Sequence, residues 1–174
     1  MSDVDWSVEA VAALRATGID LAVGLPDSGV APLFEATEAA PDLEALLVSR
    51  EEEAVGVLGG AWVGGRRGVL LCQTSGLANA LNAVGSLSVP ARLPFVGLVS
   101  RRGALGEFNA AQVPAGYDMP AVLDALGVRN CVVERPGAVA ERARLAATSA
   151  FSTGMPYVVF LDATVTGHKP EAER

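Results

Sequence analysis

Histidine, cysteine and aromatic residues are scarce in this chain of 174 residues. The one histidine, His168, falls in the polar C-terminal segment, which excludes histidine-based triads and histidine metal sites from the folded body. The two cysteines, Cys72 and Cys131, each lie in an apolar strand-like run. We interpret them as reduced core residues of a cytoplasmic protein, with no metal site among them.

Long apolar runs and basic runs are also missing. No apolar stretch reaches the length of a membrane span, and the N-terminus lacks the features of a signal peptide. A net charge of −7 without a cluster of basic residues argues against a nucleic acid or a membrane as the partner. Since 51% of the residues are hydrophobic and only 5% aromatic, the sequence predicts a core of Ala, Val and Leu.

The hydrophobic pattern alternates between helix and strand along the chain. It predicts six short apolar strands, at 21–25, 45–48, 69–73, 95–100, 131–134 and 157–161. Helices are predicted between them, among them one from 76 to about 84 and one from 138 to about 148, and a long loop over 101–117. Buried strands separated by helices indicate a three-layer α/β fold, with a mostly parallel sheet covered on both faces. We expect one domain over residues 1–165 and a disordered tail over 166–174.

Polar clusters follow four of the predicted strands, at 26–29, 49–52, 73–76 and 100–103. Right-handed crossovers place all the strand-to-helix loops of a parallel sheet at one edge. Open α/β sheets bind their ligands at that edge. The sequence therefore predicts that these clusters meet there.

Common catalytic motifs are missing from these clusters. The chain has neither a G-x-G-x-x-G after its first strand nor a G-x-x-x-x-G-K-S/T, so a dinucleotide or P-loop site is not supported. Ser75 lacks the G-x-S-x-G context of a hydrolase nucleophile and has no histidine to act as its base.

Three consecutive glutamates, Glu51 to Glu53, begin the helix that follows the second predicted strand. Acidic residues complement the dipole of a first helical turn, and Ser49 with Glu52 has the spacing of a capping box. A carboxylate at this edge of a sheet can also act in catalysis. Because successive residues lie about 100° apart around a helix, no more than one of the three can point squarely at a ligand.

Five segments, in order and at the spacing of one domain, together resemble the pyrimidine-binding domain of thiamine-diphosphate enzymes. Within that family the chain is most similar to the α-subunit of the split sulfopyruvate and phosphonopyruvate decarboxylases, from about residue 6 to residue 162. The segments are Gly-Leu-Pro-Asp-Ser (24–28), Arg-Glu-Glu-Glu-Ala-Val-Gly (50–56), Gln-Thr-Ser-Gly-Leu-Ala-Asn-Ala-Leu-Asn-Ala (73–83), Ser-Arg-Arg-Gly (100–103) and Ala-Gln-Val-Pro-Ala-Gly (111–116).

The resemblance implies thiamine diphosphate as the cofactor. A helix-borne glutamate of the family hydrogen-bonds the aminopyrimidine ring, and counting from Arg50 assigns this role to Glu52. On this assignment Glu51 and Glu53 face solvent or an interface. Further residues implied at the cofactor edge or the subunit contact are Thr74, Ser75, Gly76 and Asn79.

The resemblance also implies a small anionic 2-keto acid as substrate. Ser28 is expected to face the substrate or, alternatively, to cap the following helix. Arg102 and Arg101 are suited to binding a phosphonate or sulfonate group, and Gln112 is expected to reach the site from the long loop. One alternative for each arginine is an exposed, solvated side chain.

A partner chain is implied because the sequence lacks the family's Gly-Asp-Gly segment for magnesium and the cofactor diphosphate. We therefore expect a β-subunit that holds Mg²⁺ and the diphosphate, in an α2β2 or larger assembly. The predicted function is that of one subunit of a thiamine-diphosphate-dependent decarboxylase. The alternatives are a half-subunit of a carboligase similar to acetolactate synthase, and a non-catalytic α/β binding or scaffold subunit.

Overall fold

Six parallel strands form a single sheet in the computed structural model, which describes residues 5–167. The spatial order is β2-β1-β3-β4-β6-β5, and every neighbouring pair is parallel. This confirms the predicted α/β class, with a sheet that is wholly rather than mostly parallel. The strands are β1 (Ile19–Gly24), β2 (Glu44–Leu47), β3 (Arg67–Gln73), β4 (Val96–Ser100), β5 (Arg129–Val133) and β6 (Tyr157–Leu161).

Helices cover both faces of the sheet and bury one apolar cluster on each. On one face lie α1 (Trp6–Arg15), α2 (Ala31–Glu38) and α8 (Val139–Thr153). The other face is covered by α3 (Glu51–Val63), α4 (Thr74–Ala83) and α7 (Met119–Ala125). The short helices α5 (Val89–Ala91), α6 (Val113–Tyr117) and α9 (Ala163–Thr166) complete the set.

The central strands β3, β4 and β6 are buried along almost their whole length, as their runs of Val and Leu predict. The edge strand β2 leaves Leu46 and Leu47 partly exposed. Cys72 is buried in β3, whereas Cys131 is half-buried in the edge strand β5, and both are free thiols. Among residues 5–167, no helix is both long and apolar enough to span a bilayer.

The structure differs from the predicted elements in three places. First, α4 begins at Thr74, before Gly76, because Gln73 is its extended N-cap residue. Second, the predicted loop over 101–117 ends in a 3₁₀ turn at Ala110–Gln112 and in α6. Pro114 is compatible with that helix because it occupies one of the first two helical positions, where its missing N–H is not needed. Third, α8 continues to Thr153, and Gly154 ends it in the left-handed conformation.

The predicted boundary at residue 165 falls near the end of α9, whose last residue is Thr166. Residues 168–174 of the predicted tail, and His168 with them, lie outside the described residues.

Gly24 provides a test of how closely the central strands pack. A Cβ at this position would overlap the backbone carbonyl of Leu71, which cannot move aside as a flexible side chain can. We expect Gly24→Ala to lower the free energy of unfolding by about 3 kcal/mol or more, at the upper end of overpacking costs. The measurement is urea unfolding of the full chain.

Gly60 in α3 is the matched control, since a Cβ there would meet no atom within 4 Å. Gly60→Ala should raise the free energy of unfolding by up to about 1 kcal/mol, as expected for Gly to Ala in a helix. Equal effects of the two substitutions would contradict the packing described for Gly24.

Candidate functional site

The carboxyl edge of the sheet brings together the four polar clusters, and three side-chain contacts connect them. Ser100 Oγ, at the end of β4, donates to Asp27 Oδ1 in the loop after β1 at 3.1 Å. The backbone N–H of Arg102 donates to Thr74 Oγ1 at 3.1 Å. The carboxylate of Glu51 lies directly against Gly76. The predicted convergence of these loops is therefore confirmed.

Glu51 points toward the N-terminus of α4. A Cβ on Gly76 would overlap its carboxylate, so glycine at this position leaves the space in which the carboxylate lies. Asp27 lies at the same edge as Glu51. The negative charges of both carboxylates act on the buried thiol of Cys72. Burial raises the pKa of Cys72 most, and the negative charges of Glu51 and Asp27 raise it further.

Glu52 and Glu53 make different contacts. Glu52 Oε1 forms an ion pair with Arg50 Nε at 2.8 Å, with the side chains 43% and 65% exposed, respectively. Glu53 accepts a hydrogen bond from the backbone N–H of Ser49 at 3.0 Å. The contacts at the start of α3 thus favour Glu51, rather than Glu52, as the glutamate that points into the site, while the catalytic role predicted for Glu52 stays untested.

The predicted capping box of Ser49 and Glu52 is wrong by one position. Arg50 is the N-cap residue of α3 and makes no side-chain capping bond. Glu53, three residues after Arg50, makes the backbone contact instead. The helix therefore starts one residue later than a Ser49 N-cap requires.

A cleft of about 230 Å³ opens beside these contacts. Three segments line it: residues 27–29 after β1, residues 100–108 after β4, and Ala163, Thr166 and Gly167 at α9. Ser28 is exposed in this lining. Its alternative role as a helix cap is not observed, because the N-cap residue of α2 is Val30, without a side-chain capping bond.

Arg102 is held by Glu107 on the wall of the cleft. Its Nε and Nη2 atoms donate to the two carboxylate oxygens at 2.7 and 2.8 Å. The side chains are only 14% and 6% exposed, respectively. Glu107 also accepts from the backbone N–H groups of Gly103 at 3.2 Å and Asn109 at 2.9 Å. Both residues of the pair are therefore ordered by charge-assisted hydrogen bonds.

This ion pair shifts the pKa of both partners. The guanidinium of Arg102 and the two backbone N–H groups lower the pKa of Glu107 to about 2. Hydrogen bonding to Glu107 raises the pKa of Arg102. The pair remains charged across the whole physiological range.

Arg101 is held more loosely on the same wall. Its Nη1 atom lies 3.5 Å from Asp162 Oδ2, and its Nη2 atom lies 3.5 Å from the carbonyl oxygen of Tyr117. The guanidinium carbon is 5.8 Å from the centre of the Tyr117 ring. Its Nε–H is buried and has no hydrogen-bond partner within residues 5–167. Arg101 is thus bonded less completely than Arg102, with two contacts of 3.5 Å and one donor that the described residues leave unused.

The remaining predicted site residues differ in exposure. Thr74 is fully buried and is bonded to the backbone of Arg102, whereas Ser75 is half-buried and Asn79 is exposed on α4. Gln112 has a buried, unpaired Oε1 atom but does not line the cleft formed by the described residues.

Sequence reasoning missed Asp27, Gln73, Glu107 and Asp162. Asp27 belongs to one of the five family segments but was assigned no role, yet it accepts hydrogen bonds from both Ser100 and Gly29. Gln73, at the end of β3, has a buried Oε1 without a partner in the described part of the chain. Glu107 carried a usable signal, since it is the one acidic residue between Arg101 and Tyr117. Asp162 had none, because it lies some sixty positions from Arg101 along the chain.

No cluster of three or more metal-ligating side chains occurs within the described residues. The carboxyl edge of this parallel sheet, with an inward-facing carboxylate and a cleft beside it, is typical of an α/β domain that binds a ligand there.

Comparison with known proteins identifies the family. The family described as thiamine pyrophosphate enzyme, N-terminal TPP binding domain, matches residues 9–112, which is more than half of the chain. The chain therefore belongs to this family. The resemblance found in the sequence, and the fold expected from it, are confirmed.

Relatives of two kinds are similar to the chain. Sulfopyruvate decarboxylase subunit alpha of Methanococcus maripaludis is 30% identical over 156 residues, covering 90% of this chain and 93% of the relative. The protein of the same name from Methanothermobacter thermautotrophicus is 40% identical over 113 residues, covering 65% and 68%. Phosphonopyruvate decarboxylase of Streptomyces viridochromogenes is 38% identical over 106 residues, but these cover 61% of this chain and 27% of that longer protein.

The Arg102–Glu107 pair predicts a pH-dependent contribution to stability. Because the pKa of Glu107 is lowered from 4.5 to about 2, this contribution is complete above pH 4.5 and is lost as the pH falls toward 2. We expect wild type to be more stable than Glu107→Gln at neutral pH, with a difference that shrinks below about pH 4.5. Urea unfolding of both proteins at stepped pH measures this difference, and a difference independent of pH would contradict the prediction.

Proposed function

We propose that this chain is the pyrimidine-binding subunit of a two-chain, thiamine-diphosphate-dependent decarboxylase of an anionic 2-keto acid. The observation that carries the proposal is the position of Glu51, whose carboxylate lies against Gly76 at the carboxyl edge of a thiamine pyrophosphate-binding domain. Similarity to alpha subunits named sulfopyruvate decarboxylase supports the reaction class.

The residues at this edge fit the pyrimidine end of the cofactor. Because Gly76 has no side chain, the space beside it has room for a carboxylate. Thr74 and Ser75 belong to the first turn of the same helix, while Asn79 follows on its exposed side. When bound, thiamine diphosphate supplies a carbanion centre and an electron sink for decarboxylation.

With the cofactor bound, a glutamate at this edge would share a proton with the N1′ atom of the aminopyrimidine ring and so supply the acid–base chemistry that activates the cofactor. We assign this role to Glu51, because Glu52 is paired with Arg50 at the surface and Glu53 is bonded to the backbone of Ser49. The role assigned to Glu52 from the sequence is the competing hypothesis.

The substrate is expected to bind in the 230 Å³ cleft. Ser28 and Arg101 line it and bring a hydroxyl group and a loosely bonded guanidinium, respectively. Arg102 also lines the cleft, but two N–H groups of its guanidinium already donate to Glu107. Gln112 is proposed to reach the substrate only if the segment before α6 moves. Sulfopyruvate and phosphonopyruvate, which are named for the relatives, are the candidate substrates.

A β-subunit is proposed to bind the other end of the cofactor. Oxygen ligands for Mg²⁺ and a cradle for the diphosphate are required, and this sequence lacks the Gly-Asp-Gly segment that provides them in the family. The proposed assembly is α2β2 or larger, and its proposed location is the cytoplasm, since Cys72 and Cys131 are free thiols.

The three adjacent glutamates provide the sharpest test of the proposed function. In the co-purified two-chain enzyme, Glu51→Gln should lower kcat at least about a hundredfold, the usual scale for loss of an acid–base group. Glu52→Gln is the matched control: it makes the same chemical change one residue along the chain and should retain most of the activity. Loss of activity in Glu52→Gln with a normal Glu51→Gln would instead support the assignment made from the sequence.

The division of the cofactor site between two chains predicts a binding difference. The isolated chain should show no measurable binding of thiamine diphosphate with Mg²⁺ in calorimetry, whereas the complex with its partner should bind both. Tight binding by the isolated chain would contradict the two-chain proposal. Binding by the complex without turnover of either keto acid would favour a non-catalytic or carboligase role.

A further inference from the structure

Arg101 and Arg102 are adjacent in the sequence but differ in how fully their hydrogen-bond donors are used. Arg102 donates twice to Glu107, at 2.7 and 2.8 Å. Arg101 makes two long contacts of 3.5 Å and has a buried Nε–H without a partner in the described part of the chain. One wall of the cleft therefore carries Arg102, whose charge is neutralised by Glu107, and Arg101, which has an N–H donor without a partner among the described residues.

The charges around the cleft are balanced rather than positive. Its charged lining residues are two arginines, Arg101 and Arg102, and two carboxylates, Asp27 and Glu107. A third carboxylate, Asp162, lies on Arg101. An anion entering this cleft thus encounters one incompletely bonded guanidinium, in a lining whose other charges include carboxylates.

Glu107 is not easily displaced by an incoming anion. Four hydrogen bonds hold its carboxylate, two from Arg102 and two from the backbone N–H groups of Gly103 and Asn109. Its side chain is only 6% exposed, so little water would replace them during a local displacement. The negative charge of Glu107 therefore remains part of the wall while a substrate is bound.

We propose that Glu107 is a specificity-determining residue, which neutralises Arg102 and so makes the cleft select a singly charged sulfonate tail over a doubly charged phosphonate tail. This inference rests on the proposed function, since it assumes that the tail of the keto acid enters this cleft. Glu107 acts through Arg102 and need not touch the substrate.

The two tails differ mainly in charge. A sulfonate carries a single negative charge, whereas a phosphate-type group carries about −1.5 to −2 at pH 7. The first charge can be matched by Arg101, whose ion pair with Asp162 is long at 3.5 Å. The second charge has no further cation to meet among the described lining residues, since Arg102 is held by Glu107, and the cleft also carries the carboxylate of Asp27. Juxtaposed like charges at a binding site favour the partner that avoids them.

Selectivity of turnover is the first readout. The two-chain enzyme is assayed with sulfopyruvate and phosphonopyruvate at about pH 8, where the phosphonate is a dianion. Wild type should have the higher kcat/KM for sulfopyruvate. Glu107→Gln should shift the ratio of the two kcat/KM values toward phosphonopyruvate by about tenfold, equivalent to about 1.4 kcal/mol. Most of the change should appear in KM.

Two control variants separate charge from structure. Glu107→Asp keeps the negative charge and should retain the wild-type preference. Glu44→Gln removes another carboxylate that pairs with an arginine, here Arg66 at 2.9 Å, but at the start of β2 and away from the cleft. It should leave the ratio unchanged. Thermal unfolding of each variant verifies that it is folded.

Binding without turnover is the second readout. Sulfoacetate and phosphonoacetate carry the same two tails on a carboxylate that cannot be decarboxylated as a keto acid. Calorimetry on the two-chain enzyme should show that wild type binds sulfoacetate more tightly than phosphonoacetate. In Glu107→Gln the difference between the two affinities should be smaller.

Failure of this inference and failure of the proposed function would give different experimental results. If wild type converts neither keto acid, the proposed function fails. If it converts them but Glu107→Gln changes both equally, or leaves the ratio unchanged, Glu107 is structural and the inference is overturned. A wild-type preference for the phosphonate would overturn it as well.

Discussion

Parallel pairing of every strand is the constraint on which the rest of this structure depends. It places the carboxyl ends of β1, β3 and β4 side by side, so that loops far apart in the sequence share one edge. Short contacts then fix the loops relative to one another, most directly the bonds of Ser100 to Asp27 and of Arg102 to Thr74. The sheet thus sets where these loops meet, while the conformation of the loop after β4 shapes one wall of the cleft.

Two carboxylates at this edge, Glu51 and Glu107, differ in how fully their hydrogen-bonding capacity is used by the protein. Glu51 lies in a space left by Gly76, whereas Glu107 is saturated by Arg102 and two backbone N–H groups. The first arrangement leaves a carboxylate available to a ligand, and the second removes an arginine from the groups available to one. Catalysis and substrate selection are thus assigned to different sides of the same edge, next to α3 and next to β4.

Much of the fold could be predicted from the sequence, because short apolar runs between helical patterns, such as Val69 to Cys72 and Val96 to Val99, are typical of buried parallel strands. The site could be predicted only to the level of its loops. Which of three adjacent glutamates points inward could not be read from their spacing, because neighbours differ by about 100° around the helix and the choice of Glu52 rested on counting from Arg50 along the family motif. Glu107 pairs with Arg102 inside a loop without periodicity, where spacing carries no geometric information.

The central claim is that the Glu51 carboxylate promotes loss of the C2 proton of the bound cofactor. The most direct measurement is hydrogen–deuterium exchange at that C2 atom, in the two-chain enzyme without substrate, followed by NMR after rapid quenching. Glu51→Gln should slow this exchange at least about a hundredfold, while Glu52→Gln should exchange at close to the wild-type rate. Slow exchange in Glu52→Gln, together with a wild-type rate in Glu51→Gln, would contradict it.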